Sequence, residues 1–478
     1  MQDQHASQRK VMVIGLDCAE PTLVFGPWLD ELPNIKRVLE AGVHGPLESS
    51  LPPITVPAWM SMMTGRDPGE LGLYGFHNRA DYGYGTLRIA SSASIKAKTV
   101  WETLGEHGKR SIVIGVPPSY PLKPIQGELI SCFLTPSDAQ HFSYPPALSD
   151  EVRDLVGDYL VDVRGFRTDD KQWLLGEIYE MTEKRFKVAK HLLATRPWDF
   201  FAMVEIGVDR IHHGFWQFMD TEHVLYPGPN PFENAIHDYY LYVDGLIGEL
   251  LAYADDQTTV LIVSDHGAKR MDGSIALNEW LVERGYLVLN SYPDSSTRFA
   301  KLDVNWQKTR VWGEGGYYGR VFINVEGREP HGCVPRSEYE AFRRQIKAEL
   351  EAIPDAEGRP LLTRAELPEQ IYHDVQNIAP DLFVFFGDLY WRAAGTVGHG
   401  AIHLKENDTG PDGANHDWHG ILIMAEGQDI ASGIVQPQQR SGMRLLDVSP
   451  TILNAFQLPV PSWMRGQIVA GRLKELYR

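Results

Sequence analysis

Short runs of consecutive apolar residues recur along the chain, and each is bounded by polar or turn-forming residues. They are rich in Val, Ile, Leu and Phe and are about the length of a strand. A run without polar alternation is typical of a strand that is covered on both faces, as in a parallel sheet. The runs occupy residues 10–17, 111–116, 200–206, 258–265, 381–386 and 420–425.

Between these runs, apolar residues recur at helical spacing. The predicted helices cover residues 35–41, 99–107, 149–156, 171–195, 234–254, 337–352 and 445–456. Strands that alternate with helices predict an α/β protein with a mainly parallel central sheet flanked by helices. In such a fold the ligand site lies beyond the carboxyl ends of the strands.

Two stretches fit this alternation poorly. Residues 117–197 begin with many Pro and aromatic residues, and residues 287–367 carry turn signals that include Gly313-Glu-Gly-Gly316. We predict that both are cap regions inserted into the core. The core would then comprise residues 1–116, 198–286 and 368–478.

Composition narrows the possible partners and the location. A hydrophobic fraction of 43% over 478 residues is ample for a packed core, and the formal charge of −18 argues against binding to nucleic-acid polymers or anionic membranes. The first ten residues lack the apolar segment of a signal peptide. We therefore expect a cytoplasmic protein that does not enter a membrane, and the oligomeric state stays open.

Aspartate and histidine residues near the predicted strand ends are candidates for metal binding, because three scattered cysteines cannot form a Cys-rich site. Asp17 ends the first run. Asp209 and His213 are spaced i, i+4, which places them on one face of a helix. Asp265 and His266 follow the run at 258–265, just before a glycine.

The last candidate ligand is His416 or His419, both of which precede the run at 420–425. Each of these signals has an ordinary alternative, such as a surface hydrogen bond, a polar turn or a core histidine. Together they supply three Asp and three His, which is about what two metal ions need. Oxygen ligands mixed with imidazole suit Zn²⁺ or Mn²⁺.

Thr55 is the candidate nucleophile. Pro57 suits the first position of a helix that Gly65 would end, so that Thr55 would lie at or beside the N-cap. The N-terminus of a helix favours an anion, either an ionised threonine or a bound phosphate. The alternative is an ordinary Thr cap before a buried helix.

These motifs occur in an order that resembles the alkaline phosphatase superfamily, and more closely its type I phosphodiesterase/nucleotide pyrophosphatase branch. The similarity runs from Val11 to Gly466. It rests on Gly15-Leu-Asp17, Pro52-Pro-Ile-Thr-Val-Pro-Ala-Trp59, Thr64-Gly-Arg-Asp-Pro68, Asp209-x-x-x-His213, Ser264-Asp-His-Gly267 and His416-x-x-x-Gly420. The resemblance implies an alkaline phosphatase-like core.

The resemblance also assigns the ligands. It implies that Asp17, Thr55, Asp265 and His266 hold one metal ion and that Asp209, His213 and His416 hold the other. It favours His416 over His419 because of the distance from Gly420.

Two residues are weighed as substrate contacts. Nucleotide pyrophosphatases of this superfamily have an Asn that holds a phosphate oxygen, and Asn78 could replace it here. Nucleotide specificity does not follow, because Ala58 stands where those enzymes have another Asn. Arg328 could reach a substrate anion or could form an ion pair within its loop.

The function expected from the sequence is a metal-dependent phosphohydrolase of small phosphate esters. We expect a phosphodiesterase/nucleotide pyrophosphatase-type enzyme with a phosphothreonine intermediate on Thr55. A phosphomutase or phosphomonoesterase on the same scaffold is the alternative. A metal-binding protein without catalysis is a third possibility, but it would not need the nucleophile.

Overall fold

The computed structural model describes residues 9–85, 87–433 and 436–470. Its strands are β1 (Lys10–Leu16), β2 (Val43–Glu48), β3 (His77–Arg79), β4 (Leu87–Ile89), β5 (Ser111–Ile114), β6 (Gly127–Ile130), β7 (Ser143–Tyr144), β8 (Phe200–Glu205), β9 (Thr258–Val263), β10 (Gly267–Arg270), β11 (Gly273–Ala276), β12 (Val311–Glu314), β13 (Gly319–Ile323), β14 (Arg364–Glu366), β15 (Leu382–Phe385), β16 (Trp391–Ala394), β17 (His403–Leu404), β18 (Ala414–Asp417), β19 (His419–Glu426), β20 (Gln438–Gln439) and β21 (Met443–Arg444).

The α-helices are α1 (Pro21–Val24), α2 (Pro33–Glu40), α3 (Thr55–Thr64), α4 (Pro68–Leu71), α5 (Val100–Glu106), α6 (Leu148–Val156), α7 (Lys171–Thr195), α8 (Gly207–Met219), α9 (Ala235–Leu251), α10 (Leu277–Glu283), α11 (Tyr339–Glu351), α12 (Pro368–Ile371), α13 (Gly427–Ser432) and α14 (Val448–Ala455). Single 3₁₀ turns occupy Leu29–Glu31, Ser92–Ser94, Phe299–Lys301, Gly387–Leu389 and Leu445–Asp447. Each helix predicted from the spacing of apolar residues is present to within a few residues.

The central sheet has the strand order β20-β2-β19-β9-β1-β8-β5-β6-β7, with β21 also paired to β2. Most neighbours are parallel, whereas β19 runs antiparallel to both of its neighbours and β7 runs antiparallel to β6. Helices flank the sheet. The predicted α/β class with a mainly parallel central sheet is confirmed.

Strand β1 shows why its sequence is apolar throughout. Met12 and Ile14 pack into an apolar cluster on one face of the sheet together with α2, α7, α8 and α9. Val11 and Val13 point the other way, into a second cluster with α3, α5 and α14. Because successive side chains of a strand alternate between faces, a strand covered on both sides has no polar positions.

A smaller antiparallel sheet lies apart from the central one, with the order β12-β13-β15-β14. The assignment of residues 381–386 to the parallel sheet was wrong, because β15 pairs antiparallel with β13 and β14. Leu382 and Val384 face one apolar cluster and Phe383 and Phe385 face another. The apolar run therefore correctly predicted a strand that is buried on both faces. It did not indicate to which sheet the strand belongs.

The two stretches predicted as caps differ in structure. Residues 117–197 supply β6 and β7 to an edge of the central sheet, and α7 packs on the apolar cluster of that sheet. Residues 287–367 supply β12, β13, β14 and α11 to the smaller sheet and its apolar cluster. The boundaries between core and caps stay predictions.

No helix in the described parts of the chain combines the length and the apolar character that crossing a membrane requires.

Helix α3 begins earlier than the sequence indicated. Thr55 is its first residue and Pro57 its third, so the placement of Pro57 at the first position was wrong. The carbonyl of Ile54 accepts the first intrahelical hydrogen bond, from the N–H of Ala58 at 3.0 Å. Pro57 is tolerated in this turn because an N–H there would have no acceptor within the helix. Gly65 ends the helix with φ of 67°, as predicted.

The central strand β9 provides a test of the core. Ile262 is completely buried, and Ile262→Ala should lower the free energy of unfolding by about 2–5 kcal/mol because it leaves a cavity. Ile89→Ala is the matched control: its side chain is 60% exposed, and the change should be within about 0.5 kcal/mol. Urea unfolding followed by circular dichroism measures both. Equal losses in the two variants would contradict the assignment of Ile262 to the core.

Candidate active site

Three neighbouring parallel strands bring three carboxylates to one edge of the central sheet. Strand β1 lies between β8 and β9, so the carboxyl ends of all three strands meet. Asp17 follows β1 directly and Asp265 follows β9, while Asp209 lies in the first turn of α8, just after β8. All three carboxylates are buried.

Three histidines converge on these carboxylates. Nε2 of His266 lies 3.1 Å from Oδ2 of Asp265 and 3.8 Å from Oδ1 of Asp17. Nε2 of His213 lies 3.1 Å from Oδ1 of Asp209, as the i, i+4 spacing on α8 predicted. These rings are buried with their Nε2 atoms directed at the aspartates.

The third histidine is His416, on β18. Its Nε2 lies 3.7 Å from Oδ1 of Asp209 and 3.2 Å from Nε2 of His213. Strand β18 pairs antiparallel with β10, which begins one residue after His266, and this pairing carries His416 into the site. His419 is exposed at the start of β19. Of the two candidates, the structure therefore brings only His416 to the carboxylates.

Thr55 also reaches the cluster. Its Oγ1 lies 3.3 Å from Nε2 of His266, and the side chain is only 3% exposed. As the first residue of α3, it lies where the N–H groups of the first turn have no acceptor within the helix and where the helix dipole is positive. The predicted position of Thr55 at the start of a helix is thus observed.

The donor atoms suit bound cations. Three buried carboxylate oxygens, Oδ1 of Asp17, Oδ1 of Asp209 and Oδ2 of Asp265, have no hydrogen-bond partner among the described residues. Leaving ionised oxygens in this state is costly, and a cation would remove the cost. The ligand atoms of Asp17, Asp265 and His266 lie within 4.8 Å of one another, and so do those of Asp209, His266 and His416.

Cys18 lies near the same atoms, in a group with Asp209 and His213. Its thiol donates a hydrogen bond to the carbonyl of Gly267 at 3.3 Å. Burial and the nearby aspartates raise its pKa, which disfavours the thiolate that a metal would bind. The residues that fit a metal are therefore the aspartates and histidines.

The pKa values of the three carboxylates are shifted in different directions. Burial, together with repulsion from neighbouring carboxylates, raises the pKa of both Asp17 and Asp265. Burial acts in the same direction on Asp209, but the charges of His213 and Arg210 outweigh it and hold its pKa well below the usual range. The site thus concentrates negative charge that its own cations balance only on the Asp209 side.

The histidines divide in the same way. Burial lowers the pKa of His266 to about 4 and lowers that of His416 well below its usual range, so both rings are neutral, as metal binding requires. Burial would also lower the pKa of His213, but Asp209 and Asp412 together raise it to about 10. Without a metal, His213 holds a proton between two carboxylates, in the place where a cation would otherwise balance them.

Several residues that hold the ligands were missed by the sequence analysis. Trp59, one turn into α3, donates its indole N–H to Oδ2 of Asp17 at 2.7 Å. Nδ1 of His416 lies 2.9 Å from the carbonyl of Pro53, and Nδ1 of His213 lies 2.8 Å from Oδ1 of Asp412. Trp59 and Pro53 lie inside the motif around Thr55 and could have been suspected.

Arg210 follows Asp209 on α8. It donates to Asp209 and, at 2.8 Å through two nitrogens, to Asp162. Asp162 belongs to the stretch predicted as the first cap. The guanidinium therefore ties that stretch to a candidate ligand.

The loop between β12 and β13 contributes Tyr317. Its ring stacks on His416 with 3.9 Å between centroids, and its hydroxyl accepts a hydrogen bond from Arg167 at 2.9 Å. Tyr317 and Arg167 are partly exposed, unlike the candidate ligands beneath them. Both predicted insertions therefore supply side chains at the mouth of the site.

The two tentative substrate contacts are engaged elsewhere. Oδ1 of Asn78 accepts from the N–H of Tyr74 at 2.7 Å, and its amide group donates to the carbonyl of Gly75 at 3.0 Å. Arg328 forms a bidentate pair with Asp381 at 2.8 Å, which is the alternative weighed for it. Among the described residues, no hydrogen bond joins either side chain to the candidate ligands. Their role in substrate binding stays a prediction.

Solved structures share this fold. Phosphonoacetate hydrolase from Sinorhizobium meliloti 1021, determined in complexes with phosphonoformate and with phosphonoacetate, matches with a TM-score of 0.61 and 16% identity, over 94% of this chain and 96% of that one. Human ectonucleotide pyrophosphatase/phosphodiesterase 5 matches with a TM-score of 0.53 and 10% identity, over 95% and 96%. At these identities the likeness concerns the fold.

A search of curated proteins found no significant match. The model of the type I phosphodiesterase/nucleotide pyrophosphatase family matches residues 11–421, which include every candidate ligand and Thr55. This match confirms the resemblance inferred from the ordered motifs. The chain belongs to the type I phosphodiesterase/nucleotide pyrophosphatase family.

Proposed function

We propose that the protein cleaves small phosphate diesters through a phosphothreonine formed on Thr55, with two divalent cations in the site. Family membership makes the chain a hydrolase of phosphate ester bonds. The observation that carries the finer proposal is the position of the Thr55 hydroxyl. It lies at a helix N-terminus, 3.3 Å from His266 and beside three buried carboxylates with unpartnered oxygens.

The proposed ligands form two sets that meet in the site. Asp17, Thr55, Asp265 and His266 would hold one cation, and Asp209, His213 and His416 would hold the other. When bound, two such cations supply positive charge that lowers the pKa of the threonine hydroxyl and neutralises the phosphoryl oxygens. Mixed carboxylate and imidazole donors favour Zn²⁺, with Mn²⁺ as the other candidate.

Thr55 would carry out the first step. Its Oγ1 bonds to phosphorus as the bond from phosphorus to the leaving alcohol breaks, and the alcohol takes up a proton. The N–H groups in the first turn of α3 stabilise the negative charge beside Thr55. The product of this step is a phosphothreonine that still carries the remaining ester group.

Water completes the reaction. It enters from the side that the alcohol vacated, bonds to phosphorus and breaks the bond to Thr55, so that a phosphate monoester leaves and the hydroxyl is restored.

The pairing of nearby cations supports a diester substrate. Arg210 is bound by Asp162, and Arg167 and Arg392 are both bound by Asp412. No guanidinium in this group is left without a carboxylate partner. A phosphate monoester brings about one negative charge more than a diester near pH 7. The site is therefore better matched to the lower charge of a diester.

A phosphomutase or a phosphomonoesterase on the same scaffold remains the alternative. Both would use Thr55 and the same ligands, so substrate tests must separate them. Because the solved neighbour from Sinorhizobium meliloti is a phosphonoacetate hydrolase, phosphonoacetate belongs in the same panel. The cytoplasmic location expected from the sequence stays a prediction.

The first test concerns the nucleophile. Thr55→Ala should lower kcat on the order of a thousandfold or more, because it removes the proposed nucleophile. Thr55→Ser should keep appreciable turnover. Thr64→Ala, at the other end of α3, is the matched control and should stay close to wild type. Rapid-quench mass spectrometry should place the phosphoryl adduct on the peptide with Thr55. Wild-type kcat in Thr55→Ala with metals bound would exclude the covalent mechanism.

The second test concerns the cations. Purified protein should contain two divalent ions per chain by inductively coupled plasma mass spectrometry, and EDTA should remove both the ions and the activity. His416→Ala and Asp265→Ala should each lose one ion, because each removes a ligand of a different set. His419→Ala is the control and should keep both, since His419 is exposed. Two ions in all three variants would show that the ligands are misassigned.

The third test concerns the substrate. The kcat/KM for an aryl phosphate diester should exceed that for the matching monoester, since Arg210, Arg167 and Arg392 are already paired with carboxylates and do not balance the added charge. The same alcohol leaving group in both compounds makes the comparison depend on phosphoryl charge. Faster cleavage of the monoester would reverse the assignment in favour of a phosphomonoesterase. Transfer of the phosphoryl group to a second hydroxyl, with none released to water, would instead indicate a phosphomutase.

A further inference from the structure

Asp412 is a buried carboxylate that none of the proposed catalytic steps uses. It lies in the loop before β18, and its side chain is completely buried. Oδ1 of Asp412 lies 2.8 Å from Nδ1 of His213, on the side of the ring away from the candidate metal ligands. Nε2 of the same ring lies 3.1 Å from Oδ1 of Asp209.

This contact decides which nitrogen of His213 keeps its proton when the ring is neutral. A carboxylate can only accept, so Nδ1 must be the donor toward Asp412. Nη2 of Arg392 lies farther from Nδ1, at 3.3 Å, and its two hydrogens are taken by Asp412 and the carbonyl of Ala414. A neutral His213 protonated at Nδ1 has its lone pair on Nε2, which faces Asp209 and His416. That is the form in which the ring can bind a metal ion.

Asp412 is itself held firmly. Nη2 of Arg392 and Nε of Arg167 each lie 2.9 Å from Oδ2 of Asp412, which leaves Oδ1 for His213. The two arginines come from distant parts of the chain, β16 and the stretch before α7. Both guanidinium groups balance the charge of the carboxylate, so the position of Asp412 is set by contacts independent of His213.

We infer that Asp412 is the positioning residue that orients His213 and keeps its Nε2 free for the cation shared with Asp209 and His416. This inference rests on the proposed two-metal site. Asp412 would act through His213 and would not touch the cation or the substrate. Carboxylates in this relation to a metal-binding histidine typically contribute 10- to 100-fold to metal affinity.

The test measures Zn²⁺ affinity directly, by competition with a chromogenic chelator on the metal-free full-length protein. Asp412→Asn should weaken the affinity for one of the two Zn²⁺ ions by about 10- to 100-fold. The affinity for the other ion should change by less than about threefold. Asp417→Asn is the matched control, because Asp417 lies on β18 next to His416 but pairs with Lys269 at 2.9 Å. It should leave both affinities within about threefold of wild type.

A double-mutant cycle separates positioning from general loosening of the fold. In a His213→Ala background, Asp412→Asn should have no further effect on Zn²⁺ affinity, because the residue through which it acts is gone. Asp17→Asn affects the other ion. In that background, Asp412→Asn should therefore keep its full effect on Zn²⁺ affinity. An equal effect in both backgrounds, or weakening of both ions in Asp412→Asn alone, would overturn the inference.

Asp412→Glu covers the case in which the Asn variant does not fold. It keeps a carboxylate beside Arg392 and Arg167. It should weaken the affinity for the same ion, but by less than His213→Ala does. Unchanged affinity for both ions in the Glu variant, or equal weakening of both, would overturn the inference while leaving the metal site in place. A wild-type protein that binds no Zn²⁺ would overturn the proposed metal site, and this inference with it.

Discussion

The burial of three aspartates at one edge of the sheet is the constraint on which the site depends. Asp17, Asp209 and Asp265 follow strands that are neighbours and parallel, so the topology forces their carboxylates together. Like charges in a low-dielectric environment raise each other's pKa and destabilise the ionised forms. A buried arrangement that is unfavourable for stability is typical of a functional site.

The protein offsets part of this cost with its own groups. Trp59 donates to Asp17, and Arg210 pairs with Asp209. His213 holds a proton between Asp209 and Asp412. Oδ1 of Asp17 and Oδ2 of Asp265 still have no hydrogen-bond partner among the described residues, and Oδ1 of Asp209 faces the Nε2 atoms of His213 and His416. The charge that remains unbalanced is negative and confined to the site. Small hard cations bind such carboxylate oxygens and would balance this charge.

Thr55, the proposed nucleophile, lies on a helix that the fold brings to the same edge of the sheet. Helix α3 packs against the face of the sheet opposite α8, and its first turn comes to the edge where β1 and β9 end. Its free N–H groups add partial positive charge without adding a side chain. Tyr317 and Arg167 then approach from outside the central sheet, so that parts of the chain distant in sequence meet above His416.

The sequence alone determined the elements whose signals are local. Apolar runs located β1, β5, β8, β9 and β19 of the central sheet but not its shorter or less apolar strands. The i, i+4 spacing placed Asp209 and His213 on one helix face, and the proline-rich motif placed Thr55 at a helix start. These inferences hold because strand burial, helix periodicity and helix initiation depend on residues within one or two turns of each other.

Only the tertiary structure decided the rest. The apolar run of β15 belongs to the smaller sheet, Asp162 binds Arg210 beside a candidate ligand, and Asp412 and Tyr317 contact the candidate ligands. None of these facts has a local signature, because each depends on which distant strand or loop is brought alongside. Burial and polarity show that a residue needs a partner, whereas long-range pairing determines which partner it finds.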